Sequence, residues 1–393
     1  MALQLKAFLR HHCRRSSPLL HILGLSSLTF LVIFPLLCHR LLYSYYFFKF
    51  LYLKSMSHEA LQASLARGQT ALHYWQSFNG TPQLLPVEPA SPQILVTIVT
   101  AARPTDGIQY HYVLQVAELL DHALMECGGC AEVLLCNVEE EPEKNEDVSL
   151  LIKRFPVVER FKDLERQAST ALNIFEKEKQ DYVYCLKQSL EIFNPQNVLL
   201  LEDDAAPMQN FFPVVQNLIS RSFYSNTLYV KLFHPERLHR YWNPEPYRIL
   251  EWVGLGMTGA SVLCALYKRL IGFSPKMLPF LFLFFMLYTM AAAELFGRHY
   301  LLELRRLSPQ LYAVSPATEC CTPAMLFPHF SARRVMHYLN ELTCKPGFAK
   351  DIALYDSLQK NQSERAHSVE PNLVWHIGAY SSVRATRSQP RLL

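Results

Sequence analysis

The sequence predicts an α/β protein built on a mostly parallel sheet, with an N-terminal transmembrane helix and a transmembrane hairpin inserted into the sheet domain. Three observations predict it. Strand-like and helix-like segments alternate between residues 94 and 232. Two further regions are apolar enough for a bilayer. Strand-like and polar segments resume after the second of them, so the sheet domain is interrupted rather than finished.

Leu19 to Leu37 contains no Asp, Glu, Lys or Arg and is near the length a bilayer core needs. Arg10, Arg14 and Arg15 precede it, and cationic flanks stay in the cytosol. Pro35-Leu36-Leu37-Cys38-His39 lacks a small-residue cleavage pattern, which favours an uncleaved anchor over a signal peptide. Tyr43, Tyr45, Tyr46, Phe47 and Phe48 then supply an interfacial aromatic belt. Residues 39–92 read as a lumenal stem and linker, ending in the Pro-rich polar stretch 79–92.

The sheet domain follows. Ile94 to Thr100 is a β-branched run and reads as a buried strand. Val113, Val116, Ala117, Leu120 and Leu124 recur at helical spacing. Val133 to Cys136 is a second strand, and Glu139 to Asp147 an acidic, solvated loop. Phe175 to Phe193 is helical and ends at Asn194-Pro195. Val198 to Leu201 is a third strand, Phe211 to Ile219 a helix and Leu228 to Leu232 a fourth strand. Right-handed crossovers in this β-α-β-α-β-α-β order bring Thr100-Ala101 and Glu202–Asp204 to one sheet edge. Open α/β sheets bind ligands at that edge.

The second apolar region runs from Trp252 to Ala293. Val253–Tyr267 and Met277–Ala293 carry no formal charge, and Lys268, Arg269 and Lys276 lie between them. This reads as a helical hairpin with a cytosolic cationic turn, its arms returning to the lumen. The first arm spans only about 22 Å at 1.5 Å per residue, short of a roughly 30 Å core. Arg298, Arg305 and Arg306 stand on the supposed lumenal side, and a buried helical pair in a soluble core is the competing reading. The expected division is a cytosolic tail 1–18, an N-terminal span 19–38, stem 39–92, first catalytic part 93–251, hairpin 252–296 and second catalytic part 297–393.

Composition narrows the classes. Hydrophobic residues make up 50% of the 393 and charged residues 18%, which suits membrane segments. The net charge of +4 is spread thinly, and no basic block of the kind nucleic acid selects is present. Glycine is sparse, with no GxxxxGK and no GxGxxG, which argues against a Gly-rich phosphate loop. Of ten cysteines, all but Cys13, Cys38 and Cys264 fall in the expected lumenal part, where an oxidising compartment favours disulfides. Cys127 and Cys130 can close locally, Cys136 and Cys185 can tie neighbouring elements, and Cys344 can take one of Cys320 and Cys321. Their spacing is poor for zinc. Asn79-Gly80-Thr81 and Asn361-Gln362-Ser363 are glycosylation sequons.

Glu202-Asp203-Asp204 at the end of the third strand carries the chemistry. Three adjacent carboxylates repel and need a compensating cation. Their oxygens suit Mn²⁺ or Mg²⁺, which can hold the diphosphate of a nucleotide sugar. A solvated loop is the bland alternative.

Longer strings carry a resemblance. They include His111-Tyr112-Val113-Leu114-Gln115-Val116, Phe175 to Cys185, Glu202-Asp203-Asp204, His234-Pro235-Glu236-Arg237-Leu238 and Asn243-Pro244-Glu245-Pro246. They continue with Arg248 to Gly254, Gly297-Arg298-His299-Tyr300, Cys320 to Pro328 and His376-Ile377-Gly378. The chain resembles the Golgi GalNAc-transferases that modify glycosylphosphatidylinositol (GPI) anchors after attachment to protein, the transmembrane protein 246 family. The resemblance implies a GT-A-like glycosyltransferase, Rossmann-like in its sheet, that uses UDP-GalNAc and adds β-linked GalNAc to the first mannose of the anchor. GPI-anchored proteins are then the acceptors, and the location a Golgi membrane with the catalytic domain lumenal. Residues 102–107 depart from the family's strings.

The resemblance also implies roles. Glu202, Asp203 and Asp204 stand in place of the DxD of other GT-A enzymes, with Asp204 and Glu202 expected at the metal and one acidic residue at the ribose. His376 is expected as a metal ligand, with a core histidine as the alternative. Ala101 would receive uracil. Thr322 and Pro323 would shape the sugar pocket, or form only a turn beside a disulfide. Lys350 would meet phosphate, or be a surface lysine. The α-linked donor and β-linked product require inversion with one base, and Asp351 is the first choice, ahead of Glu319 and Asp356. A hairpin-held enzyme would also act at high effective concentration on a membrane-bound acceptor. A non-catalytic GPI-recognising protein and a metal-dependent phosphodiesterase are the competing classes. The second would want more His and Asp ligands around two metals.

Overall fold

The computed structural model describes residues 17–39, 41–47, 53–103, 108–161, 173–235, 238–242, 245–360, 363–381 and 386–387. Arg10, Arg14, Arg15, Cys13, Phe48, Pro104 to Gly107 and the asparagine of the second sequon lie outside them. The chain folds as two compact units, Met1–Leu53 with Arg237–Leu302 and Lys54–Glu236 with Glu303–Leu393.

The first unit holds three helices long and apolar enough to cross a membrane: Pro18–Leu37, Pro246–Leu270 and Pro275–Phe296. The first hairpin arm is thus 25 residues, about 37 Å, rather than the short apolar core visible in the sequence. Arg248 and Glu251 had hidden its first turns. Polar residues there are paired rather than excluded: Arg298 Nη2 lies 2.7 Å from Glu251 Oε2, and the Tyr241 hydroxyl donates to Glu251 at 3.1 Å. A cation at this end is therefore compatible with an apolar arm. The arms approach closely because Gly256 and Gly259 face Met290 and Thr289, which a Cβ would overlap. Trp252 Nε1 donates to the Met290 carbonyl at 2.8 Å, and the N-terminal helix joins through His21 Nδ1 and the Tyr267 hydroxyl at 2.9 Å.

The second unit contains the sheet. Its strands are β1 (Leu95–Thr100), β2 (Glu132–Asn137), β3 (Val157–Glu159), β4 (Asn197–Glu202), β5 (Ala205–Pro207), β6 (Tyr229–Lys231), β7 (Ala313–Pro316), β8 (Ala324–Pro328), β9 (Ala366–Glu370) and β10 (Val374–His376). Eight of them form one sheet in the order β3-β2-β1-β4-β8-β6-β9-β7, and β5 pairs separately with β10. The sheet is mostly parallel, and only β7 and β8 run against the rest. β4 is buried along its length, which is why it reads as an unbroken apolar run.

Helices α1 (Leu53–Ser77), α2 (Tyr112–Glu126), α3 (Glu146–Leu151), α4 (Ile174–Phe193), α5 (Phe211–Ser220), α6 (His329–Glu341) and α7 (Lys350–Lys360) belong to this unit apart from the first residue of α1. α2 packs with α5 in one cluster under β1 and β4, and α4 with α6 and α7 in another on the opposite face. The Asn173 side chain caps α4 by accepting from Phe175 N and Glu176 N. Within the stretch read as stem, α1 forms and docks. Leu61, Ser64, Gly68, Ala71 and Trp75 recur at helical spacing and are buried. Trp75 Nε1 donates to the Leu114 carbonyl at 3.1 Å.

Two cystine pairings match the spacing argument, Cys127–Cys130 and Cys136–Cys185, the latter joining β2 to α4. The expected pairing of Cys344 is corrected. Cys320 and Cys321 bond to each other, and Cys344 is a buried thiol. Its backbone is engaged instead with α4, where Cys344 N donates to Glu176 Oε2 at 2.7 Å.

Candidate active site

Parallel pairing of β1 with β4 sets Val99 opposite Glu202, so the chain leaving β1 and the acidic triplet lie side by side. Thr100 Oγ1 donates to Asp203 Oδ2 at 3.1 Å. After the triplet the chain turns into β5, whose Ala205 pairs with His376 of β10. That pairing carries the late histidine back to the motif: His376 Nε2 lies 3.3 Å from Asp204 Oδ2. One ligand atom each from Glu202, Asp204 and His376 falls within 4.8 Å of the others.

Two cations already neutralise the cluster. Arg103 bridges Asp203 and Asp204, the latter at 2.8 Å. Lys350 Nζ sits between Glu202 Oε1 at 2.8 Å and Glu178 Oε1 at 2.7 Å. Burial opposes the charged forms of Asp203, Asp204, Lys350 and His376. It pushes Asp203 above the ordinary carboxylate value even with Arg103 beside it. At Asp204, Arg103 and His376 outweigh burial and hold the carboxyl below that value. Burial lowers Lys350, but Glu178 and Glu202 prevail and keep it protonated. Burial likewise opposes the His376 imidazolium, and Asp204 more than offsets it.

The residues fit a divalent ion. Asp204 Oδ1 is buried with no hydrogen-bond partner, so a lone pair remains beside Glu202 and His376. Two hard carboxylates with one borderline imidazole are a donor set that Mn²⁺ can accept.

Next to the cluster is a cavity of about 340 Å³. Ala101, Glu139, Lys177, Glu178, Tyr182, Glu202, Asp203 and Lys350 contribute to its lining. Ala101 thus lines the cavity beside the motif. Lys350 is buried, not a surface lysine. Thr322 and Pro323 are buried before β8, and the Pro323 carbonyl accepts from Glu202 N at 2.8 Å. Asp351 opens α7, where its Oδ1 accepts from Ile352 N at 2.9 Å and its Oδ2 from Cys321 N at 3.2 Å. Asp356 is apart from this group and pairs with Lys360 at 2.6 Å on the helix surface. Glu319 is exposed.

The structure adds residues that sequence reading left out: Arg103, Glu178 and Gly378. Arg103 sits in the stretch 102–107 that matched no known string. Glu178 lies one turn from Tyr182, on the helix face turned to the cavity, and this spacing was the available signal. Gly378 approaches Asp204 so closely that a Cβ would overlap its carboxylate.

The family model of the GPI-N-acetylgalactosamine transferase PGAP4 matches residues 94–375. The chain belongs to this family. Among solved structures it is similar to a mannosyltransferase from Pyrobaculum calidifontis in complex with GDP-Man and Mn²⁺, at 12% identity and a TM-score of 0.24. That similarity covers 47% of this chain and 48% of the other, so the chain spans about half the length of the mannosyltransferase.

Proposed function

We propose that the chain is an inverting, metal-dependent glycosyltransferase that moves GalNAc from UDP-GalNAc to the first mannose of GPI anchors on proteins. The observation that carries this reading is the convergence of Glu202, Asp204 and His376 at the end of β4 in a chain of this family. In this reading the cavity beside Ala101 takes the nucleoside, with Asp203 or Glu202 near the ribose. Glu202, Asp204 and His376 hold Mn²⁺ or Mg²⁺, and a bound cation would balance the charge of the leaving diphosphate. Lys350 sets Glu202 in place from the cavity wall, and Thr322 and Pro323 shape the sugar side.

The acceptor mannose hydroxyl attacks the anomeric carbon, its C–O bond to UDP breaks on the opposite face, and Asp351 takes the hydroxyl proton. The backbone amides that bond Asp351 fix its direction before substrate arrives. Glu319 stands as the alternative base. The enzyme would work in a Golgi membrane, with residues 1–18 cytosolic, the spans at 19–38 and 252–296, and the parts 93–251 and 297–393 lumenal.

The test uses full-length protein, UDP-GalNAc, a GPI-anchored protein and Mn²⁺. One added N-acetylhexosamine on the anchor mannose, lost with chelator, is the expected product. Binding without turnover would support an escort protein, and cleavage of the anchor phosphodiester a phosphodiesterase; either result defeats the reading.

A further inference from the structure

Lys231 is the last residue of β6 and is 1% exposed. A buried ammonium is costly unless every N–H finds an acceptor. Here the acceptors are all main-chain. Nζ donates to the Thr318 carbonyl at 2.6 Å, to Cys320 at 2.8 Å and more distantly to Glu319 at 3.4 Å. All three belong to the turn that joins β7 to β8. Burial pulls the Lys231 pKa down to about 8, with Asp351 and Glu319 opposing that shift. Asp351 is therefore in electrostatic range of the same ammonium.

The turn is gripped from its other polarity as well. Cys321 has φ +70°, a backbone region that costs a non-glycine residue energy and persists only where the surroundings enforce it. Its N–H then points to Asp351 Oδ2, and two residues on the Pro323 carbonyl receives Glu202 N. One short turn thus touches the expected base and the acidic motif, and its carbonyls converge on a lysine that lines no part of the cavity beside Ala101.

We propose that Lys231 is a positioning residue for transfer: it fixes the Thr318–Cys320 carbonyls so that the turn presents Cys321 N–H to Asp351 and the Pro323 carbonyl to Glu202. The inference rests on the reading of Asp351 and Glu202 as active-site residues. Lys231 touches neither nucleotide nor acceptor in this scheme. Its loss is felt first at Asp351, whose contact from the turn is Cys321 N–H, whereas Glu202, which also lines the nucleoside cavity, keeps its pairing with β1 and its ion pair with Lys350.

The experiment compares full-length wild type, Lys231→Met and Lys231→Arg. UDP binding with Mn²⁺ is measured by calorimetry and GalNAc transfer by steady-state kinetics. In Lys231→Met, kcat should fall on the order of 10²-fold, as expected when reacting groups shift by about 1 Å. UDP affinity and the acceptor KM should stay within about threefold, the split that separates positioning from binding. Lys231→Arg, which keeps charge and donors, should recover at least part of kcat. If Lys231→Met does not fold, Lys231→Gln is read in the same way. A kcat within about threefold of wild type, or kcat and UDP affinity falling together, overturns the proposal. Failure of both uncharged variants to fold also overturns it, in favour of a purely structural lysine. Wild-type protein that binds UDP but transfers nothing would instead defeat the site reading itself, and the proposal with it.

Discussion

Gly378→Ala tests the site with a single methyl group. An added Cβ would overlap Asp204 Oδ2, lie 2.8 Å from its Cγ and stand 3.0 Å from Arg103 Nη1. Real Cβ contacts stay beyond 3.0 Å, so Oδ2, the closest atom, must retreat by more than about 1 Å. The glycine cannot easily yield instead. Ile377 N donates to the Asp204 carbonyl at 2.9 Å, and Ala379 N to the Tyr112 hydroxyl at 3.0 Å. In the proposed reading of Asp204 as a metal ligand, moving its carboxylate by about 1 Å costs on the order of 10²-fold in rate. Overpacking adds a stability loss of about 1–3 kcal/mol. The assay is kcat for GalNAc transfer, together with Mn²⁺-dependent UDP binding and thermal unfolding. The expected pattern is a folded protein with weakened Mn²⁺ dependence and a kcat down by about two orders of magnitude. A variant with kcat within about threefold of wild type and unchanged Mn²⁺ dependence would falsify the placement of Asp204 at the metal.

Other expectations follow from the same geometry. Lys350→Met leaves the half-buried Glu178 and Glu202 facing each other without their shared cation, so stability should fall by about 1–3 kcal/mol in denaturant unfolding. Lys350→Arg should recover part of that loss. The Asp147 hydrogen bond raises the His111 pKa against the effect of burial, at 2.8 Å between Nδ1 and Oδ1. A raised folded value stabilises fully below the unfolded pKa of about 6.5, and the gain vanishes as pH climbs through the folded value. The stability gap between wild type and Asp147→Asn should thus be widest at acidic pH and close on the alkaline side. A gap that widens with pH contradicts the pair. Trp75→Ala should cost about 3–5 kcal/mol and expose α1 to protease, whereas a stem outside the fold would show neither.

Legibility followed the physical signal each element left. β1, β2 and β4 were plain because burial on both faces demands unbroken apolar runs. α1 was hidden because its buried stripe includes Ser64, Gly68 and Ala71, whose small side chains give little periodic contrast. β3, at three residues, fell below any pattern length. β8 was not singled out, and its antiparallel course is not legible in sequence, because its neighbours β4 and β6 are chosen by tertiary pairing. At the site, the acidic triplet announced itself by charge density. Arg103 did not, because a single ion pair between distant segments leaves no periodicity, and Glu178 left only its one-turn spacing to Tyr182.

The position of β8 has a consequence for how the protein is made. Residues 324–328 fill the slot between β4 and β6, yet both of those strands leave the ribosome before the hairpin and β8 only after it. A nascent chain that has emerged only as far as the second arm can pair β3-β2-β1-β4 but leaves β6 without β8 or β9, both of which come later. The far half of the sheet therefore closes only after both apolar arms have been synthesised, so this domain cannot finish folding ahead of them.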